Sequence, residues 1–316
     1  MNDPGELNLS GRYEGIDARI KIAKKNWKSE KLKLSGDFYY LSFCDSVPTI
    51  EEFVKFLYWR TVPFCLPRSE RADLEKQFQI TKDYRYLHEL LDRARDLFIR
   101  AKAAQATTGE PGELILYVLL EAFLGAPQIA CKMYLKTNAN VPVHGADSIH
   151  IRYDNSSETL RLYWGESKLY GDLGESLSEA LSSIKAFTTP VNGLAPRERD
   201  VHILKDHTNV DDPKIRAAIL NYFDPYCEES NKRVEVFACL SAFDYPFLSK
   251  CGDLSKDTVE KEFLVQYEKR IKTACALFEK KVKEAGLSNL SFYLFLLPFK
   301  SVNELRDLFF QKMGIS

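Results

Sequence analysis

Asp147, Glu166 and Lys168, with Glu113 upstream, are the residues of this 316-residue chain whose types and spacing could do chemistry together. Carboxylates beside an ammonium can hold a hard divalent cation and place a water next to it. Phosphodiester hydrolysis needs a nucleophilic water, neutralised phosphoryl oxygens and help for the departing oxygen, and a cation contributes to all three. In that chemistry Asp147 and Glu166 would hold the cation, with Glu113 joining directly or through water. Lys168 would orient the attacking water or stabilise developing charge. Its ammonium would also limit repulsion among three clustered acids, which otherwise raises at least one pKa.

The elements that position these groups follow from side-chain periods. In residues 160–168 a strand puts Leu162, Trp164, Glu166 and Lys168 on one face, because residues two apart share a side. Residues 148–153 are β-branched and aromatic, and Asp154, Asn155, Ser156 and Ser157 are turn formers, so the two runs read as a hairpin with Asp147 at its entry. A Glu-x-Lys pair on a strand is commonly a ladder of surface charges, and an aspartate before a strand is commonly a cap. Here the charged pair extends an apolar face instead, and charge on such a face needs a reason. Glu113 stands in the first turn of an apolar helix that Gly125 and Pro127 end, where the helix dipole favours an ionised carboxylate.

Further elements read along the chain. Residues 39–43 have strand composition, and Thr49 to Glu52 form a capping box for a helix carrying Phe53, Val54, Phe56 and Leu57. Leu87, Leu90, Leu91, Ala94, Leu97, Phe98 and Ala101 recur at helical spacing. Residues 106–112 are rich in Gly and Pro and mark a module boundary. A strand at 128–135, the hairpin, and a helix with an apolar stripe at Leu173, Leu177, Ala180, Leu181 and Ile184 complete an α-β-β-β-α order. A strand at 233–240, a helix at 255–285, a strand at 292–297 and a helix capped by Ser301 follow, while residues 190–229 carry no clear pattern.

Composition bounds the rest. The chain has 45% hydrophobic and 28% charged residues, enough for a sizeable core and two domains. Its net charge of −1 excludes coating nucleic acid by bulk electrostatics, so any DNA contact is local or shared with a partner. Two basic segments, 19–33 and 93–102, read as solvated faces. Seven scattered cysteines show no zinc spacing and read as reduced thiols. With no apolar run of about 18 residues, a cytoplasmic protein without membrane contact is expected. No Gly-x-Ser-x-Gly elbow supports a serine hydrolase. His150 reads as structural, and His144 as a turn residue three positions before Asp147.

Gly112-Glu113, Gly145-Ala146-Asp147 and Trp164-Gly165-Glu166-Ser167-Lys168, on this framework, resemble the PD-(D/E)xK nuclease superfamily over residues 112–187. The longer string, His144-Gly145-Ala146-Asp147 followed by Gly165-Glu166-Ser167-Lys168, is similar to the HamA family of nuclease subunits of the Hachiman antiphage defence system, along most of the chain. Ala146 stands where the superfamily motif has proline, Pro142 not being adjacent to the aspartate, and Ser167 occupies a position that is often apolar. Neither departure removes a ligand.

The resemblance implies a mixed α/β (α+β) fold with a restriction-endonuclease-like αβββαβ core, a mixed sheet flanked by helices, over 107–316; the N-terminal α+β module over 1–106 is, by elimination, the expected partner contact. The resemblance implies a DNA endonuclease or nickase with Glu113, Asp147, Glu166 and Lys168 as catalytic set and Mg²⁺, or Mn²⁺, on the three acids. It also implies a partner, a superfamily-2 helicase-like ATPase (HamB-like) that restrains the nuclease until it engages DNA. No P-loop Gly-x-x-x-x-Gly-Lys-Ser/Thr occurs in this chain, so the motor would be on another. A non-catalytic scaffold and a stand-alone restriction-type nuclease are the alternatives.

Overall fold

The computed structural model describes residues 11, 13–104, 109–136 and 145–315. Its first half holds β1 (Ile20–Lys28), β2 (Leu34–Leu41), β3 (Phe43–Cys44), β4 (Val47–Pro48), α1 (Ile50–Tyr58), α2 (Thr61–Cys65), α3 (Arg68–Thr81), α4 (Arg85–Ala104) and α5 (Glu110–Leu124). Then come β5 (Gln128–Ala130), α6 (Lys132–Lys136), β6 (Ser148–Asp154), β7 (Thr159–Tyr170), α7 (Leu173–Thr188), α8 (Pro196–Asp206) and α9 (Pro213–Asn221). The last elements are β8 (Arg233–Asp244), α10 (Val259–Glu284), β9 (Phe292–Phe299) and α11 (Val302–Met313).

Seven strands form one mixed sheet in the order β1-β2-β9-β8-β7-β6-β5, flanked by helices, as the α/β expectation requires. β1 and β2 are antiparallel, β2 with β9 and β9 with β8 parallel, and β5 with β6 and β6 with β7 antiparallel. The expected α-β-β-β-α order is α5-β5-β6-β7-α7. Its first strand is shorter than expected: only Gln128–Ala130 pair, and the chain then turns into α6. Cys131, Met133 and Leu135 alternate as in a strand, but Lys132, which that period sends to solvent, is buried as well. α3 went unread because it buries no residue and so carries no apolar stripe.

The chain divides into two compact units. One comprises 1–12, 59–165 and 187–236, and the other 13–58, 166–186 and 237–316. The first is organised around α5, buried on all sides, with Phe64 5.5 Å from Tyr117 and Tyr117 5.8 Å from His150 between ring centroids. The second packs an aromatic cluster in which Phe263 lies within 5.2 to 6.0 Å of Tyr40, Tyr245, Phe247 and Tyr267. Ser301 caps α11, accepting from the N–H of Glu304 at 3.3 Å.

One cation of each basic segment is paired at the surface. Lys21 pairs with Glu260 at 2.8 Å and Arg93 with Glu89 at 2.6 Å and Glu70 at 3.3 Å, exposed contacts worth under about 1 kcal/mol each. All seven cysteines are free thiols. No described helix is long and apolar enough to cross a membrane.

His150 is fully buried, with its Nδ1–H donating to the Ala126 carbonyl at 2.7 Å. A carbonyl only accepts, so Nδ1 carries the proton, and the buried Nε2 has no hydrogen-bond partner among the described residues. Burial pushes the ring's pKa down to about 4 from the ordinary 6.5. The folded value lies below the unfolded one, so as pH falls the unfolded chain takes up the proton first. The stability that depends on a neutral His150 is complete above pH 6.5 and is lost as pH falls through the folded value. Between pH 7 and pH 4, wild type is therefore expected to lose about 3 kcal/mol more than His150→Phe. Urea unfolding at the two pH values measures this, and equal losses would refute it.

Candidate active site

The β6–β7 hairpin runs in register from Ser148 opposite Gly165 to Asp154 opposite Thr159. Just before it, the half-buried Asp147 donates its N–H to the Gly165 carbonyl at 2.8 Å. A side chain at position 165 would have to displace its neighbours: a Cβ there would stand 2.1 Å from Ser148 Oγ and 3.0 Å from Leu116 Cδ2. Glycine therefore lets α5 and β6 close on β7 immediately before Glu166.

Glu166 and Lys168 sit on the same face of β7 by strand alternation, the face opposite Gly165. Lys168 Nζ lies 2.8 Å from Glu166 Oε1, with side-chain exposures of 21% and 9%. Ser176 at the start of α7 donates its hydroxyl to the Lys168 carbonyl at 3.2 Å, fixing the strand end. Burial pushes the Cys239 thiol up, with Glu166 adding to the rise and Lys168 opposing it, so this neighbour on β8 stays protonated.

Chain direction places Glu113. A turn over Gly125, Ala126 and Pro127 returns the chain from α5 into β5, whose register runs from His150 toward Ile149. α5 therefore starts at the Asp147 end of the hairpin. Glu113, 4% exposed and one turn before Leu116 and Tyr117, lies at that end on the Gly165 face. The structure thus pairs Glu166 with Lys168, ties Asp147 to Gly165, and brings Glu113 toward the same end of the hairpin from the Gly165 side. Among the described residues, no three His, Cys, Asp or Glu side chains form a group that could hold a metal ion. His144 and Pro142 lie outside the described residues.

Behind Asp147 is a buried ion pair. Lys132 Nζ lies 2.8 Å from Asp200 Oδ2, and the same oxygen accepts the N–H of Ala146 at 3.2 Å. A family model described as HamA matches residues 18–313. The chain belongs to the HamA family. Membership assigns it to the Hachiman antiphage defence system, which has several subunits. No curated protein matches the chain in sequence.

In this HamA chain, sequence reading missed Glu110, Lys132 and Asp200. Glu110 is three residues before Glu113 in the first turn of α5, 7% exposed, with Oε2 lacking a hydrogen-bond partner among the described residues. The i, i+3 spacing of two acids at a helix start was the available signal. Lys132 lay in a segment read as strand, and Asp200 in the charged run 197–200, which looks like a solvated face.

Proposed function

We propose that this HamA protein is a divalent-cation-dependent DNA endonuclease or nickase, the effector of a helicase–nuclease defence complex. The observation that carries the reading is the Glu166–Lys168 pair, largely buried on β7 directly after the glycine whose carbonyl holds Asp147. A solvated charge ladder has no cause to be buried, and burying a carboxylate and an ammonium costs stability, a cost that a functional role accounts for.

The donors suit a hard cation. Carboxylate oxygens are available, and the neighbouring thiol of Cys239 is held protonated and is a poor ligand. Asp147 and Glu166 would hold Mg²⁺, with Mn²⁺ as an alternative, and Glu113, which approaches from the Gly165 face, would join through water. When bound, such an ion lowers the pKa of water and neutralises phosphoryl charge. Lys168 orients the attacking water and stabilises charge on the phosphoryl oxygens. Glu166 holds the Lys168 ammonium in place. A superfamily-2 helicase-like ATPase of the HamB type supplies the motor, and cleavage by the isolated chain is expected to be silent or weak.

The test is plasmid cleavage with Mg²⁺, by the chain alone and with its helicase-like partner, for wild type and Asp147→Ala, Glu166→Ala and Lys168→Ala. Wild-type nicking that all three variants lose supports the reading. Equal cleavage by all four proteins sinks the site assignment, and intact DNA binding with no cleavage under any condition points to a scaffold.

A further inference from the structure

The Lys132–Asp200 pair is buried almost completely, with side-chain exposures of 2% and 1%. Replacing such a pair with apolar side chains of similar size is often neutral for stability or better, so stability alone does not explain it. Its other contacts do. Asp200 Oδ2 accepts from both Lys132 Nζ at 2.8 Å and the Ala146 N–H at 3.2 Å. Gly145 lies so close that a Cβ there would meet the two carboxylate oxygens at 2.3 and 2.5 Å. Gly145 and Ala146 immediately precede Asp147, whose own N–H is held by the Gly165 carbonyl. Two consecutive amides are therefore anchored, one to the Asp200 carboxylate and the next to the β7 backbone. The ionised acceptor makes the first of these the stronger kind of hydrogen bond.

We propose that Asp200, paired with Lys132 in the interior, is a positioning residue that fixes the Gly145-Ala146-Asp147 backbone so that the Asp147 carboxylate is preset for a divalent cation. Asp200 is not itself a ligand: the oxygen nearest the segment is already shared by an ammonium and an amide, and its side chain has almost no access to solvent. The inference rests on the reading of Asp147 as a cation ligand.

The experiment compares the full-length wild type with three variants. Asp200→Asn with Lys132→Met removes both charges but keeps an acceptor for Ala146. Asp200→Leu with Lys132→Met removes the acceptor too. Gly145→Ala pushes the segment off Asp200 without changing a charge. Mn²⁺ affinity is read from the electron paramagnetic resonance of the free ion, and hydrogen exchange reports the Ala146 and Asp147 amides.

The Asn/Met variant is expected within about threefold of wild type. The Leu/Met variant and Gly145→Ala are expected to bind Mn²⁺ at least about tenfold more weakly, with faster exchange at both amides, as when other groups that orient a metal ligand are lost. In cleavage with the partner present, the same two variants should need more Mg²⁺ for half-maximal rate, and saturating Mg²⁺ should restore much of that rate. Gly145→Ala gives the result even if the Leu/Met variant does not fold. Wild-type Mn²⁺ affinity in Gly145→Ala, or in a folded Leu/Met variant, overturns the inference. Mn²⁺ binding by a wild type that never cuts DNA overturns the nuclease reading alone, and a wild type that binds no Mn²⁺ overturns both.

Discussion

Glu166→Gln is expected to lower DNA cleavage by at least about a thousandfold, roughly 4 kcal/mol of transition-state stabilisation, with little change in thermal midpoint. Glutamine keeps the volume and one acceptor oxygen of a side chain that is 9% exposed, so packing is preserved. What disappears is the negative charge, which the proposal uses twice: toward the cation and toward the Lys168 ammonium 2.8 Å away. Lys168 is 21% exposed and can turn toward water, so little stability is lost with its partner. Lys168→Met separates the two uses. It is expected to cut cleavage by about a hundredfold, in the range typical of losing one donor that stabilises transition-state charge, while Mn²⁺ binding holds or improves because the carboxylates lose a competing cation. Glu166→Gln should instead weaken Mn²⁺ at least about tenfold. Wild-type cleavage by Glu166→Gln, or loss of Mn²⁺ binding in Lys168→Met alone, would contradict these roles.

Different kinds of signal explain what the sequence disclosed. The hairpin was legible because alternation from Leu160 to Lys168 and the turn residues 154–157 are local, and local patterns survive into the fold. α5 was legible from its apolar circumference and its Gly125 stop, yet it begins at Glu110, one turn earlier than Glu113. Helix starts lean on caps, and Gly109 offers no side chain to mark one. Asp200 and Lys132 were illegible for a different reason: they are 68 residues apart, and each looks solvated in its own segment. Only tertiary packing turns a charge in the run 197–200 into a buried acceptor. The tie from Asp147 to Gly165 was hidden likewise, since strand register is not written in either strand alone.

Gly36→Ala is expected to impair function by the opposite route, through the fold. Gly36 in β2 is paired with Leu294 in the parallel strand β9, and a Cβ at position 36 would stand 2.3 Å from the Leu294 carbonyl oxygen and 3.2 Å from its carbon. At Gly165 the nearest obstacle is the Ser148 hydroxyl, which rotation about one bond can move. At Gly36 it is backbone, in a strand held between β2 on one side and β8 on the other, so no rotamer relieves it. Relief requires a ladder to shift, at a cost of about 3 kcal/mol or more, which should lower the thermal midpoint by about 5 °C or more and reduce soluble yield. In a phage-protection assay Gly36→Ala and Glu166→Gln would both be impaired, and the melting curve tells them apart: one protein melts earlier, the other has lost a single charge. A Gly36→Ala protein that melts with wild type would mean that β2 and β9 do not pair in this register.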